Sequence, residues 1–128
     1  MAIRCLIVDD NPGFARTASE ILQEDGIDVL GVAADGQEAV RLARELHPDL
    51  ALVDIDLGGE SGLGVASRLR ADEPAGLARA VILISTHAQE EFAELIAASP
   101  AVGFIAKAEL SADAIEALLT RSGQERIE

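Results

Sequence analysis

Aromatic side chains are nearly missing from this chain. Tryptophan and tyrosine do not occur, and phenylalanine stands at three positions of 128, Phe14, Phe92 and Phe104. The core must therefore be aliphatic, and there is no aromatic platform on which nucleic-acid bases could stack. Basic residues are scarce too: 10 lysines and arginines face 23 aspartates and glutamates, for a net charge of −13. Such a surface repels phosphate backbones and anionic lipid, which argues against direct nucleic-acid binding and against membrane attachment. Acidity of this kind more often marks a plain solvated exterior than a basic protein partner. Cys5 is the one cysteine, so no disulfide can close within the chain, and its place in an apolar run makes it a small core side chain in a reducing cytosol. No apolar run is long enough to span a bilayer, and the N-terminus lacks the pattern of a signal peptide. A cytoplasmic location is the expectation. The glycines of Leu57-Gly58-Gly59-Glu60-Ser61-Gly62 satisfy neither GxxxxGK[ST] nor GxGxxG, so phosphate cradling by that loop alone is not indicated.

What is present is aliphatic and regularly punctuated. A hydrophobic share of 49% with 26% charged residues is ordinary for a compact domain, and the length is that of one domain. The run Leu50-Ala51-Leu52-Val53-Asp54 shows no alternation and reads as a strand buried on both faces. Its terminal carboxylate cannot lie in that core. It belongs at the strand's C-terminal tip, where open α/β sheets form their binding crevice. Three other runs end the same way: Leu6-Ile7-Val8 on Asp9-Asp10, Val81-Ile82-Leu83-Ile84 on Ser85, and Phe104-Ile105-Ala106 on Lys107.

Helical patterns separate these runs. After a strand over residues 3–8, Asn11 caps a helix with Pro12 at its first position; Phe14, Ala18, Ile21 and Leu22 form its buried face, and Gly26 closes it. A weaker strand over 27–33 holds Asp28 and Gly31, as suits a sheet edge. Asp35 and Glu38 have capping-box form ahead of a second helix that Pro48 stops, with His47 as a surface residue at its end. A third helix is expected over 63–71, followed by a polar stretch over 72–79 and a strand over 80–84. A fourth helix over 89–98 has Phe92, Leu95 and Ile96 on its inner face, and a fifth strand spans 102–106. Ser111 caps the last helix, with Leu110 and Ile115 as a hydrophobic staple. Five alternations with short right-handed connections predict a doubly wound α/β domain, a parallel sheet covered on both faces. The polar second strand suits an edge and the apolar first strand the interior, which favours the flavodoxin-like order 2-1-3-4-5. The switch point then lies beside Asp10 and Asp54.

Three carboxylates at one rim, Asp9, Asp10 and Asp54, repel one another, and one lysine cannot balance them. A hard divalent cation can, and Mg²⁺ suits such oxygens. With it the rim becomes a phosphate site in which Asp54, alone at its tip, is the natural nucleophile. Lys107 would neutralise one phosphoryl oxygen and the Ser85 hydroxyl would donate to another. The plainer alternative, ordinary solvated strand ends, fits any one of these residues better than all of them together.

Asp9-Asp10 after the first strand, Asp54 after the third, Ser85 in Leu83-Ile84-Ser85-Thr86 and Lys107 in Gly103-Phe104-Ile105-Ala106-Lys107 resemble, in order and position, the receiver domain of bacterial two-component response regulators. The resemblance spans nearly the whole chain, with the receiver over residues 1–120 and a polar tail over 121–128. It implies a phosphorelay component, not an enzyme, whose Asp54 takes a phosphoryl group from a sensor histidine kinase or a phosphotransfer protein. It also implies that Asp10 and Asp54 ligate Mg²⁺ directly, that Asp9 acts largely through water, and that Asp56 supplies a backbone carbonyl. Ser85 would move onto the phosphoryl group and Phe104 would turn inward. That change would remodel the helix 4–strand 5–helix 5 surface toward an output protein or a homodimer. Three features depart from the pattern or add to it: Ala108 replaces the proline that often follows the lysine, Asp56 adds a carboxylate beside the site, and His87 lies two residues past Ser85. Two rival readings are weaker. Asp54-Ile55-Asp56-Leu57 looks like the DxDx motif of haloacid-dehalogenase-type phosphatases, but that motif normally follows the first strand. A receiver-like interaction module working without phosphorylation is the other.

Overall fold

Strand and helix alternate along the chain as β1 (Arg4–Val8), α1 (Pro12–Glu24), β2 (Asp28–Ala33), α2 (Gly36–Leu46), β3 (Leu50–Asp54), α3 (Gly62–Ala71), β4 (Ala80–Ser85), α4 (Ala93–Ala98), β5 (Gly103–Ala106) and α5 (Ala112–Ser122). A 3-10 turn, Lys107–Glu109, joins the last two. The computed structural model describes residues 2–71, 77–86 and 92–122. His87, the first residues of the expected fourth helix (89–91), Pro74 and Gly76 of the polar stretch, and most of the C-terminal tail lie outside the described residues.

The strands pair in parallel in the order β2-β1-β3-β4-β5, as the polarity of the second run and the apolarity of the first predict. β3 and β4 are buried at every position, which is why neither shows alternation. The pleat sends successive side chains to opposite faces and so builds two aliphatic layers. Leu6, Val8, Ala51, Val53, Val81 and Leu83 meet α2, α3 and α4 through Ala39, Ala43, Val65, Leu69 and Ile96. Cys5, Ile7, Leu50, Leu52, Ile82 and Ile84 meet α1 and α5 through Ala18, Leu22, Ile115 and Leu119. β2 carries an irregularity: Cys5 pairs with Val29 but Leu6 with Gly31, so Leu30 is an extra residue on the edge strand.

The helix ends follow local chemistry. Asn11 Oδ1 accepts from the Phe14 N–H at 3.1 Å to start α1. At its other end Gly26, at φ +94°, lets its own N–H reach Gln23 O and the Ile27 N–H reach Leu22 O, with Ile27 and Leu22 in the same apolar layer. Asp35 caps α2 through the Glu38 N–H at 2.8 Å, whereas the Glu38 carboxylate takes the Ala34 N–H, one residue before the partner expected of a capping box. Ser111 Oγ accepts from the Ala114 N–H at 3.0 Å and begins α5. His47 is exposed, as expected, and in the left-handed region at φ 51°. The Arg4 guanidinium from β1 donates to Leu46 O and His47 O, each at 2.7 Å, and so satisfies the last carbonyls of α2.

Two expected core residues are not in the core. Ile21 is 45% exposed and Leu95 54% exposed. Each directly precedes a buried residue, Leu22 and Ile96, and one residue is about 100° around a helix. The apolar stripe is therefore narrower than the sequence pattern suggested. Phe92 still packs against the α2–α3–α4 layer as the residue that precedes α4.

Gly62 opens α3 where the helix meets the end of β3. Its N–H donates to Ile55 O at 2.7 Å, and a Cβ on it would overlap the Asp54 carbonyl. Backbone cannot yield as a side-chain tip can. Gly62→Ala should therefore destabilise the fold by about 2–3 kcal/mol, read from the urea midpoint; an unchanged midpoint contradicts this packing. Cys5 gives a second check. Burial pushes its thiol up to about 12, so the native protein should resist a thiol-disulfide reagent at pH 8 and react promptly once unfolded.

Candidate functional site at the strand tips

Register decides which chain ends become neighbours. Val8 lies level with Val53, so Asp9 and Asp54 emerge side by side; Ser85 lies level with Ala106, so Lys107 follows next to it. Asp9 remains tied to β2 by its N–H to Ala33 O at 2.9 Å. Asp9 and Asp54 are buried and Asp10 is exposed, yet one carboxylate oxygen from each lies within 4.8 Å of the others. The juxtaposition expected of Asp10 and Asp54 is present. Lys107, the chain's one lysine, sets its Nζ 2.7 Å from Asp9 Oδ2 and 3.0 Å from Asp54 Oδ2.

Backbone donors orient these carboxylates. Asp9 Oδ1 accepts from the Asn11 N–H at 2.9 Å and Asp54 Oδ1 from the Asp56 N–H at 3.0 Å. These are aspartate turns in which the side chain binds the amide two residues on, and they leave Oδ2 of each free to face the lysine. The Asp56 carboxylate does not join the three-carboxylate group. It makes a turn of its own with the Gly58 N–H at 3.2 Å and is exposed. Gly58 adopts φ +71°, and a Cβ there would come within 3.0 Å of Asp10 Oδ2. Ser85 is buried at the tip of β4. Phe104 is half-buried, level with Leu83, and faces the α2–α3–α4 layer.

Two contacts have no counterpart in the sequence reading. The Phe14 ring stands under the Lys107 ammonium, 4.4 Å from Nζ to its centroid. Glu60, in the glycine loop, accepts from the Gly36 N–H at 2.9 Å and pairs with Arg68 at 3.0 Å, which ties the loop to the start of α2. Helical periodicity accounts for Phe14 as a core residue and says nothing of Lys107, which lies far along the chain.

Burial is the largest influence on Asp54 and raises its pKa above the ordinary carboxylate value. The Lys107 and Asp56 hydrogen bonds oppose that rise, and the Asp9 charge adds to it. Burial alone would lower Lys107, but hydrogen bonds and charge from Asp9 and Asp54 outweigh it and hold the ammonium above its ordinary value. One cation thus serves three anions. Asp9 Oδ2 is buried and faces the Lys107 ammonium at 2.7 Å. An all-carboxylate donor set that outnumbers its ammonium fits a hard divalent cation.

The family model of the response regulator receiver domain matches residues 5–119. The chain belongs to that family. This receiver is 34% identical to the signal receiver domain of a modulated diguanylate cyclase from Desulfovibrio desulfuricans, with a TM-score of 0.80 and full coverage of both chains. It is 25% identical to a response regulator from Burkholderia pseudomallei, solved with a phosphorylated aspartic acid, calcium ion and citrate; that likeness has a TM-score of 0.79 and covers 98% of this chain and 71% of the other. The transcriptional regulatory protein PdtaR of Mycobacterium tuberculosis is 31% identical over 116 residues, 90% of this chain and 54% of that protein. The chain spans about half the length, or less, of the curated relatives it matches. Among the described residues no helix is long and apolar enough to cross a membrane.

The raised Asp54 pKa has a consequence for stability. Ionising Asp54 is harder in the native state than in the unfolded chain, so its contribution is most favourable below about pH 4 and is lost as pH rises through the native value. Without divalent metal, Asp54→Asn should therefore melt above the wild type at pH 7, and the difference should shrink as pH falls toward 4. Calorimetry across that range reads it; a variant less stable at pH 7 contradicts the assignment.

Proposed function

We propose that this receiver accepts a phosphoryl group on Asp54 from a phosphohistidine of a sensor histidine kinase or phosphotransfer protein and relays the change to a partner. The observation that carries the reading is the meeting of Asp9, Asp10 and Asp54 within 4.8 Å, with the chain's one lysine bound between two of them. The phosphorylated aspartic acid in the Burkholderia relative supports it.

Asp9, Asp10 and Asp54 would hold Mg²⁺, with the Asp56 backbone carbonyl as a further ligand; the ion would offset the negative charge that otherwise repels a phosphoryl group. An Asp54 carboxylate oxygen attacks phosphorus, the new P–O bond forms as the P–N bond to the donor imidazole breaks, and the imidazole leaves to take up a proton. Lys107, already 3.0 Å from Asp54 Oδ2, neutralises one phosphoryl oxygen, and the Ser85 hydroxyl donates to another. Turning the Ser85 hydroxyl toward the phosphoryl group opens room for Phe104 to move inward. That movement alters α4, β5 and α5 together, the surface offered to an output protein or a second copy. The exposed Leu95 is an apolar contact on that surface. The chemistry suits a cytoplasmic signalling component whose product is its own phosphorylated form.

Incubation with acetyl phosphate and Mg²⁺ tests this. Intact mass should report one added phosphoryl group on the wild type and none on Asp54→Asn or with chelator present. Labelling of Asp54→Asn, or multiple turnover of a generic phosphate ester offered in place of acetyl phosphate, would overturn the reading.

A further inference from the structure

We infer that Phe14 is a positioning residue for Lys107: its ring, presented at the start of α1, holds the ammonium beside Asp54 so that an incoming phosphoryl oxygen meets an ordered cation. The inference rests on Asp54 being the phosphoacceptor. A lysine stem is long and flexible, yet the Lys107 side chain is only 9% exposed. Three groups restrain its Nζ: Asp9 Oδ2 at 2.7 Å, Asp54 Oδ2 at 3.0 Å and the Phe14 ring centroid at 4.4 Å.

The three restraints differ in what phosphorylation leaves of them. Asp54 becomes an acyl phosphate, and Asp9 belongs to the carboxylate group that also suits a cation. The Phe14 ring is chemically unchanged by the transfer. Its negative face attracts the ammonium without offering a metal ligand, and partial desolvation strengthens that attraction. Its place is set by the Asn11 cap on the Phe14 N–H at 3.1 Å and by packing against the layer beneath α1 and α5. Phe14 thus supplies the part of the Lys107 environment that is the same before and after transfer, which is the condition for preorganisation.

Because Lys107 is the chain's one lysine, protein labelled with ¹⁵N,¹³C-lysine reports its side chain without overlap. In wild type and Phe14→Tyr the CεH₂ protons should be shifted upfield by the ring, and in Phe14→Leu they should return toward the free-lysine position. With acetyl phosphate and Mg²⁺, the initial rate of Asp54 phosphorylation should fall on the order of tenfold in Phe14→Leu and recover most of that loss in Phe14→Tyr. Phe14→Met serves as the non-aromatic variant if Phe14→Leu folds poorly, folding being checked by thermal melts. A wild type that phosphorylates while Phe14→Leu matches its rate overturns the positioning role alone. A wild type that gains no phosphate overturns the phosphoacceptor reading and this inference with it. Absence of a ring shift in the wild type overturns the contact itself.

Discussion

Like charges forced together at the tip of a parallel sheet are the constraint from which the rest of this molecule follows. Asp9 and Asp54 end adjacent strands, and the register of β1 on β3 leaves them no freedom to separate. Water would normally screen them, but both are buried. The Lys107 ammonium lies between them because β5 is brought to the same edge by its pairing with β4. One ammonium against three carboxylates leaves an excess of negative charge. A donor set in that condition suits a divalent cation.

The backbone around the site meets the demands that this charge creates. Asp9, Asp54 and Asp56 each accept from an amide two residues on, so the chain turns away from each strand while fixing its carboxylate. Gly58, in the loop, and Gly62, at the first position of α3, are glycines for different reasons. Gly58 takes a left-handed conformation close to Asp10, whereas Gly62 lets the start of α3 approach the Asp54 carbonyl. Glu60 then ties that loop to α2 through the Gly36 amide and Arg68. The loop after Asp54 is thus linked to α2 and α3 as well as to the site.

Much of this was legible in the order of residues. Unalternating aliphatic runs, each ending on a polar residue, can be accommodated only as buried parallel strands with their tips at a common edge. Asn11, Asp35, Ser111, Gly26 and Pro48 mark helix ends because each satisfies or removes a backbone hydrogen-bonding group locally. The strand order followed from polarity: an edge strand tolerates Asp28 and Gly31, and a central strand does not. What could not be read there was how wide an apolar stripe each helix buries. Ile21 and Leu95 match an apolar stripe in sequence yet face outward, since the observed stripe is narrower and runs through Leu22 and Ile96.

Composition and local pattern by themselves determined the aliphatic α/β sandwich, the strand tips and the list of residues that gather there. They did so because burial and backbone hydrogen bonding act over a few residues at a time. The tertiary structure alone decided that Lys107 bridges Asp9 and Asp54, that the Asp56 carboxylate turns back to its own loop, that Arg4 closes α2, and that Phe14 lies beneath the ammonium. Those outcomes depend on strand register and on contacts between residues far apart in the chain, and no local propensity encodes distances between them.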